Sequence, residues 1–166
     1  MSPQRPRMMI FIPLDRDTAT AVRSIGRTDE RLIGYAATGQ LINAHGYRTD
    51  EREDADYAAQ LYASIAGIAR SADDRRLVVA ADVPIAGVSD HADDADYGSV
   101  GVRGLDWADV TAVFVDDNDA AEAVGLARKS IQAQPDAGLA GWVELPAVTA
   151  LTDSHELLWH TPDEAW

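Results

Sequence analysis

Three stretches of the chain are apolar almost throughout: Met8 to Leu14 (Met-Met-Ile-Phe-Ile-Pro-Leu), Leu77 to Val83 (Leu-Val-Val-Ala-Ala-Asp-Val) and Val110 to Val115. Short apolar runs bounded by polar residues predict strands covered on both faces, and Pro13 and Pro84 should stop the first two ladders. Between them the period changes to that of a helix. From Asp50 to Ala72, the residues Tyr57, Leu61, Ile65 and Ile68 form one apolar stripe, and Glu51, Glu53 and Asp54 place negative charge in the first turn, where the helix dipole favours it. A second long helix follows Asp116-Asp117-Asn118-Asp119, with Ala120, Val124, Ala127 and Ile131 on its inner face and Asp119 and Glu122 at capping-box spacing.

Shorter elements fill the gaps. Thr18 to Arg27 predicts a short helix introduced by Asp15 and Asp17, and Gly39 to His45 another, capped by Thr38 and stopped by Gly46. Leu32 to Thr38 and Ser99 to Gly104 read as strands, the latter alternating Val100 and Val102. Asp106 to Asp109 forms a tight turn around Trp107, and Glu156 to His160 a final edge strand. Gly87 to Gly98 reads as an acidic loop, and residues 135–153, broken by Pro135, Gly138, Gly141 and Pro146, are the least readable stretch, with a short amphipathic helix as the one element suggested there. The expected fold is α/β or α+β: a single-domain sandwich whose mixed sheet of about five or six strands is packed by two long and two or three short helices. Residues 1–7 are expected to form a loose extension, and residues 8–166 the domain.

Charge changes the functional picture more than it changes the fold. The 28 Asp and Glu against 14 Lys and Arg leave a formal charge of −14, which repels phosphate backbones and anionic lipid heads. The one local basic candidate, around Arg70, Arg75 and Arg76, is interleaved with Asp73 and Asp74. Neither nucleic acid nor a membrane is therefore an expected partner; a protein or a small molecule is. No run approaches the roughly 20 apolar residues a membrane span needs, so a cytoplasmic location is expected. Cysteine is absent, which removes disulfides, thiolate catalysis and thiolate metal sites, and Lys129 is the only lysine.

The segments Ile-Phe-Ile-Pro-Leu at 10–14, Gly-Tyr-Ala-Ala-Thr at 34–38, Val-Val-Ala-Ala-Asp-Val-Pro at 78–84, Trp107 with Val-Phe-Val-Asp at 113–116, and Leu-Leu-Trp-His at 157–160 together resemble a small actinobacterial family known only as a domain of unknown function. The resemblance spans most of the chain from residue 9 onward. It implies a single intracellular domain and brings no activity and no catalytic residues with it.

The residues that could carry chemistry are aspartates at strand ends. Asp15 and Asp17 follow the first strand, Asp82 closes the central one, and Asp116 and Asp117 follow a third. In a parallel sheet such positions face one crevice, where they could hold Mg²⁺ for a hydrolase or phosphotransfer reaction. The competing reading makes each Asp a helix cap or a turn residue. Asp15-Arg16-Asp17 is superficially similar to the nucleophile motif of haloacid-dehalogenase phosphatases, but Ala19 stands where that family carries Thr or Val, and Lys129 follows the late acidic cluster instead of preceding it. His45, His91, His155 and His160 show no metal-ligand spacing, and no serine lies in a Gly-x-Ser-x-Gly elbow. Trp166 either folds back on the body or offers an apolar anchor to a partner. These absences favour a noncatalytic protein- or small-ligand-binding module with no cofactor; the divalent-metal-dependent enzyme using Asp15, Asp82 and Asp116 is the alternative.

Overall fold

A computed structural model describes residues 5–166. The chain runs β1 (Arg7–Pro13), α1 (Arg16–Ile25), β2 (Arg27–Tyr35), α2 (Gly39–His45), α3 (Arg52–Arg70), β3 (Leu77–Pro84), β4 (Val88–Asp90), β5 (Ser99–Asp106), β6 (Val110–Val115), α4 (Ala121–Gln132), α5 (Gly138–Trp142), α6 (Pro146–Ser154) and β7 (Leu158–His160). The strands form one sheet in the order β4-β5-β2-β1-β3-β6-β7. The three apolar runs lie side by side within it as β1, β3 and β6: Phe11 pairs with Ala80, and Ala80 with Ala112.

The fold is thus α+β, with every described pairing antiparallel where a mixed sheet was expected. The strand count exceeds five or six because β4, three residues of an acidic segment without apolar alternation, adds to the free side of β5. Residues 135–153 hold two helices, α5 and α6, and β2 begins at Arg27, directly after Gly26 ends α1, instead of at Leu32. The early start of β2 is polar (Arg-Thr-Asp-Glu-Arg), which hides it from any apolar pattern.

Both sheet faces are buried, but by different means. Phe11, Tyr35, Val78, Ala80 and Ala112 point toward α3 and α4, whose inner faces supply Ala59, Ala63, Ala66, Val124 and Ala127. Alanine along α3 lets its backbone approach the strands closely, and van der Waals contact at that distance is maximal for the least side-chain entropy. Tyr35 is fully buried there; its hydroxyl accepts from Arg70 Nη2 at 2.8 Å, and burial raises the phenol above its ordinary ionisation range despite that cation. On the other face Ile10, Ile12, Val79, Ala81 and Val113 meet α1 through Ala19 and Val22, together with Trp107 and Trp166.

That second face is covered because the sheet rolls over it. Only the turn Trp107–Asp109 joins β5 to β6, although β2, β1 and β3 lie between them. Four strand spacings of about 4.8 Å need about 19 Å in a flat sheet, whereas four residue steps reach at most about 14 Å. The β2–β5 ribbon therefore curls across the sheet. A register shift between Thr28 and Arg31 bends the ribbon, Trp107 N donates to Gly26 O at 2.9 Å, and Arg7 Nη2 contacts Asp109 Oδ1 at 2.5 Å to fix the turn against β1.

Candidate functional site

Antiparallel pairing separates the aspartates that a parallel sheet would have gathered. Pro13 pairs with Val78 and Leu77 with Val115, so the residues after β1 and after β6 lie at one end of the sheet; Asp82 pairs with Met9 near the other. Asp82 faces Arg7 there, its carboxylate 3.6 Å from Nε. Asp15 caps α1, accepting from Thr18 N at 2.7 Å and from Thr18 Oγ1 at 2.8 Å. Asp17 is exposed in the first turn of the same helix, and Asp117 accepts from Asp119 N at 2.9 Å in the turn before α4. Trp166 is folded back, 8% exposed, its ring 6.4 Å from that of Trp107 and beneath the Arg23 guanidinium at 4.3 Å; it is not presented as an anchor. Arg16 Nη2 donates to the Trp166 carbonyl and Arg23 Nη1 to that of Glu164, strapping the segment to α1.

The convergence of Asp15, Asp82 and Asp116 that the enzyme alternative requires does not occur, and among the described residues no group of three or more His, Asp or Glu could hold a metal ion. Millimolar Mg²⁺ or Mn²⁺ is accordingly expected to move the melting temperature by less than about 1 °C. A gain of several degrees in thermal scans, lost in Asp82→Asn, would contradict this arrangement.

Asp116 has a different employment. It directly extends the β3–β6 ladder opposite Arg76, and the two side chains are 0% and 2% exposed. Arg76 Nε and Nη2 donate to the two carboxylate oxygens, each at 2.8 Å, and Arg76 N donates to Oδ2 at 2.9 Å. Nη2 also donates to the His155 carbonyl at 2.8 Å, which ties the α6–β7 connection to the sheet. A bidentate arginine–carboxylate pair of this geometry is what makes two buried charges tolerable. Read from sequence, Arg76 belonged to a basic surface patch; in the structure only Arg75 and Arg70 reach solvent, and Arg70 turns to Tyr35.

Nη1 of Arg76 is less well served. Its one protein acceptor is Ser64 Oγ at 3.4 Å, and that hydroxyl already donates to Leu61 O at 2.7 Å. A guanidinium carries five N–H donors, so one hydrogen on Nη1 has no acceptor among the described residues. Arg76 and Ser64 line a cavity of about 210 Å³ between α3, α6 and the start of β7. Its walls are mainly apolar, from Tyr57, Leu61, Phe114 and Leu157, with Gln60, Thr152, His155 and Glu156 supplying polar groups. Asp116 neutralises the guanidinium and Glu156 adds negative charge, so the cavity suits an uncharged acceptor better than an anion.

Sequence pattern could not mark this site, because Leu61 and Phe114 read as ordinary core positions and Arg76 as surface. No helix among the described residues is long and apolar enough to cross a membrane. Neither the curated proteins nor the solved structures give a match to the chain. A model described as a family of unknown function (DUF6912) matches residues 8–165, and the chain belongs to that family.

Proposed function

We propose that the protein is a noncatalytic binding module of the cytoplasm, and that the cavity at Arg76 is where it takes a compact, uncharged ligand group with a branched apolar body and a carbonyl acceptor. The observation that carries this reading is the buried guanidinium whose Asp116 partner fixes its plane and whose Nη1 still has a hydrogen to donate. Apolar walls with one oriented donor are the usual composition of a small-molecule pocket. Among the described residues neither cavity hydroxyl is hydrogen-bonded to the His155 ring: Ser64 donates to the Leu61 carbonyl and Thr152 to that of Thr149. The enzyme alternative would need Asp82 at the other end of the sheet to join Asp15 and Asp116, and the register opposes it.

Acetyl-leucine methylamide is a suitable probe, joining an isobutyl group to neutral carbonyls. With about 13 non-hydrogen atoms at about −0.3 kcal/mol each, a Kd of about 1 mM is expected. In ¹H–¹⁵N spectra its addition should shift the amides of Leu61, Ser64, Phe114 and Leu157, and acetyl-leucine, with its carboxylate, should bind several-fold more weakly. Thr152→Trp, placed at the cavity wall, should remove the response while keeping the melting temperature within about 2 °C. No shift at roughly 20 mM probe, well above that Kd, would end the reading.

A further inference from the structure

The cavity opens beside the free edge of the sheet. β7 pairs with β6 on one side and is the last strand on that flank, so among the described residues its outer backbone groups have no strand partner. Glu156 and Leu157 line the cavity and run directly into β7. Phe114, another wall residue, is the ladder partner of Trp159, which puts Trp159 on the sheet face that carries the cavity. Proteins ordinarily blunt such an edge with charge or proline, or by keeping it short, as β7 is at three residues. Here the strand is Leu-Trp-His; Leu158 is 47% and Trp159 59% exposed, and Tyr57 on the cavity rim is 58% exposed. Beyond that shortness no charged side chain lies within the strand, and His160 Nδ1 lies 3.0 Å from the Leu158 carbonyl.

Charge selects the occupant. Residues 153–164 contain Asp153, Glu156, Asp163 and Glu164 and no Lys or Arg, within a chain of net charge −14; Arg16, Arg23 and Arg75 approach the segment from the α1 face, opposite the cavity. A second copy of this chain would bring the same four carboxylates against these, whereas a basic segment would complement them.

We infer that the partner is an extended peptide segment bearing Lys or Arg, which adds a strand to β7 and seats one branched apolar side chain in the Arg76 cavity. This rests on the cavity reading above. Main-chain pairing would supply affinity along the edge and the cavity would choose the side chain, as in other strand-addition complexes.

The probe is acetyl-Lys-Thr-Val-Leu-Val-Thr-Lys-amide, titrated into the intact protein beside acetyl-leucine methylamide. The heptapeptide should bind at least about tenfold more tightly than the compact probe, shift the amides of residues 158–160 as well as those of the cavity, and weaken several-fold between low and high salt. Methylation of alternate peptide nitrogens should return its affinity to that of the compact probe, and replacing both lysines by glutamate should cost about as much again. If the compact probe binds and the heptapeptide gains nothing, or its N-methylated form is equal to it, the strand-addition inference is overturned and the cavity reading stands. If neither binds, both fall. A concentration-dependent dimer in sedimentation that shifts residues 158–160 would assign the edge to a second copy instead and overturn the peptide.

Discussion

Asp116→Ala is expected to lower the free energy of unfolding by about 3–5 kcal/mol, because it leaves the Arg76 guanidinium buried with no counter-charge. The side chain of Arg76 is 2% exposed and cannot swing to water without leaving the sheet, since its Nη2 is also bound to the His155 carbonyl. A domain of this size has a total stability of about 5–15 kcal/mol, so the loss is a large fraction of it and should appear as a lowered denaturant midpoint. The control is the double variant Arg76→Met with Asp116→Leu, which removes both charges and fills similar volume; it should recover most of the loss, as buried pairs replaced by apolar side chains commonly do. The double variant should nevertheless fail to bind acetyl-leucine methylamide, which separates the donor's part in binding from its part in folding. A loss below about 1 kcal/mol in Asp116→Ala would mean that the pair is solvated and that Arg76 is not a buried donor at the cavity.

Gly98→Ala should be nearly as damaging, by about 3 kcal/mol. Gly98 has φ +83°, where a side chain costs about 1–2 kcal/mol, and a Cβ there would sit 2.1 Å from the Ala36 carbonyl oxygen. The same backbone is already engaged, since Ala36 N donates to Gly98 O at 2.9 Å, so neither strand end can retreat without giving up that bond. Gly46→Ala makes the comparison specific. Gly46 has φ +71° with nothing within 4 Å of its Cβ position, so its loss should be confined to the backbone cost of about 1 kcal/mol. Equal losses in the two variants, measured by chemical denaturation, would show that the close approach to Ala36 is relieved at no cost.

How much of this was open to sequence reading depends on how local its cause is. The strands β1, β3 and β6 and the helices α3 and α4 announce themselves through uninterrupted or 3.6-period apolar residues, because each is buried along most of its own length. β4 and the start of β2 do not: they are held by pairing to β5, and apart from Val88 their residues carry polar side chains. The direction of pairing was the costliest omission. Nothing in the apolar runs distinguishes parallel from antiparallel neighbours, and that choice alone moved Asp82 away from Asp15 and Asp116. The Arg76–Asp116 pair was illegible for the same reason. An Arg just before one strand and an Asp just after another mean little until Leu77 is known to face Val115, after which the two residues are adjacent on the ladder. Asp15, by contrast, is a cap three residues before Thr18 N, a purely local motif, and its capping role follows from the sequence alone.

The turn Trp107–Asp109 has one more consequence. Acting like a drawstring between strands four places apart, it sets the radius to which the sheet is drawn, and the indole nitrogens of Trp107 and Trp166 lie inside that hoop without acceptors among the described residues. Residues inserted into the turn would slacken that string, and the sheet would lose the limit on its radius that covers its second face.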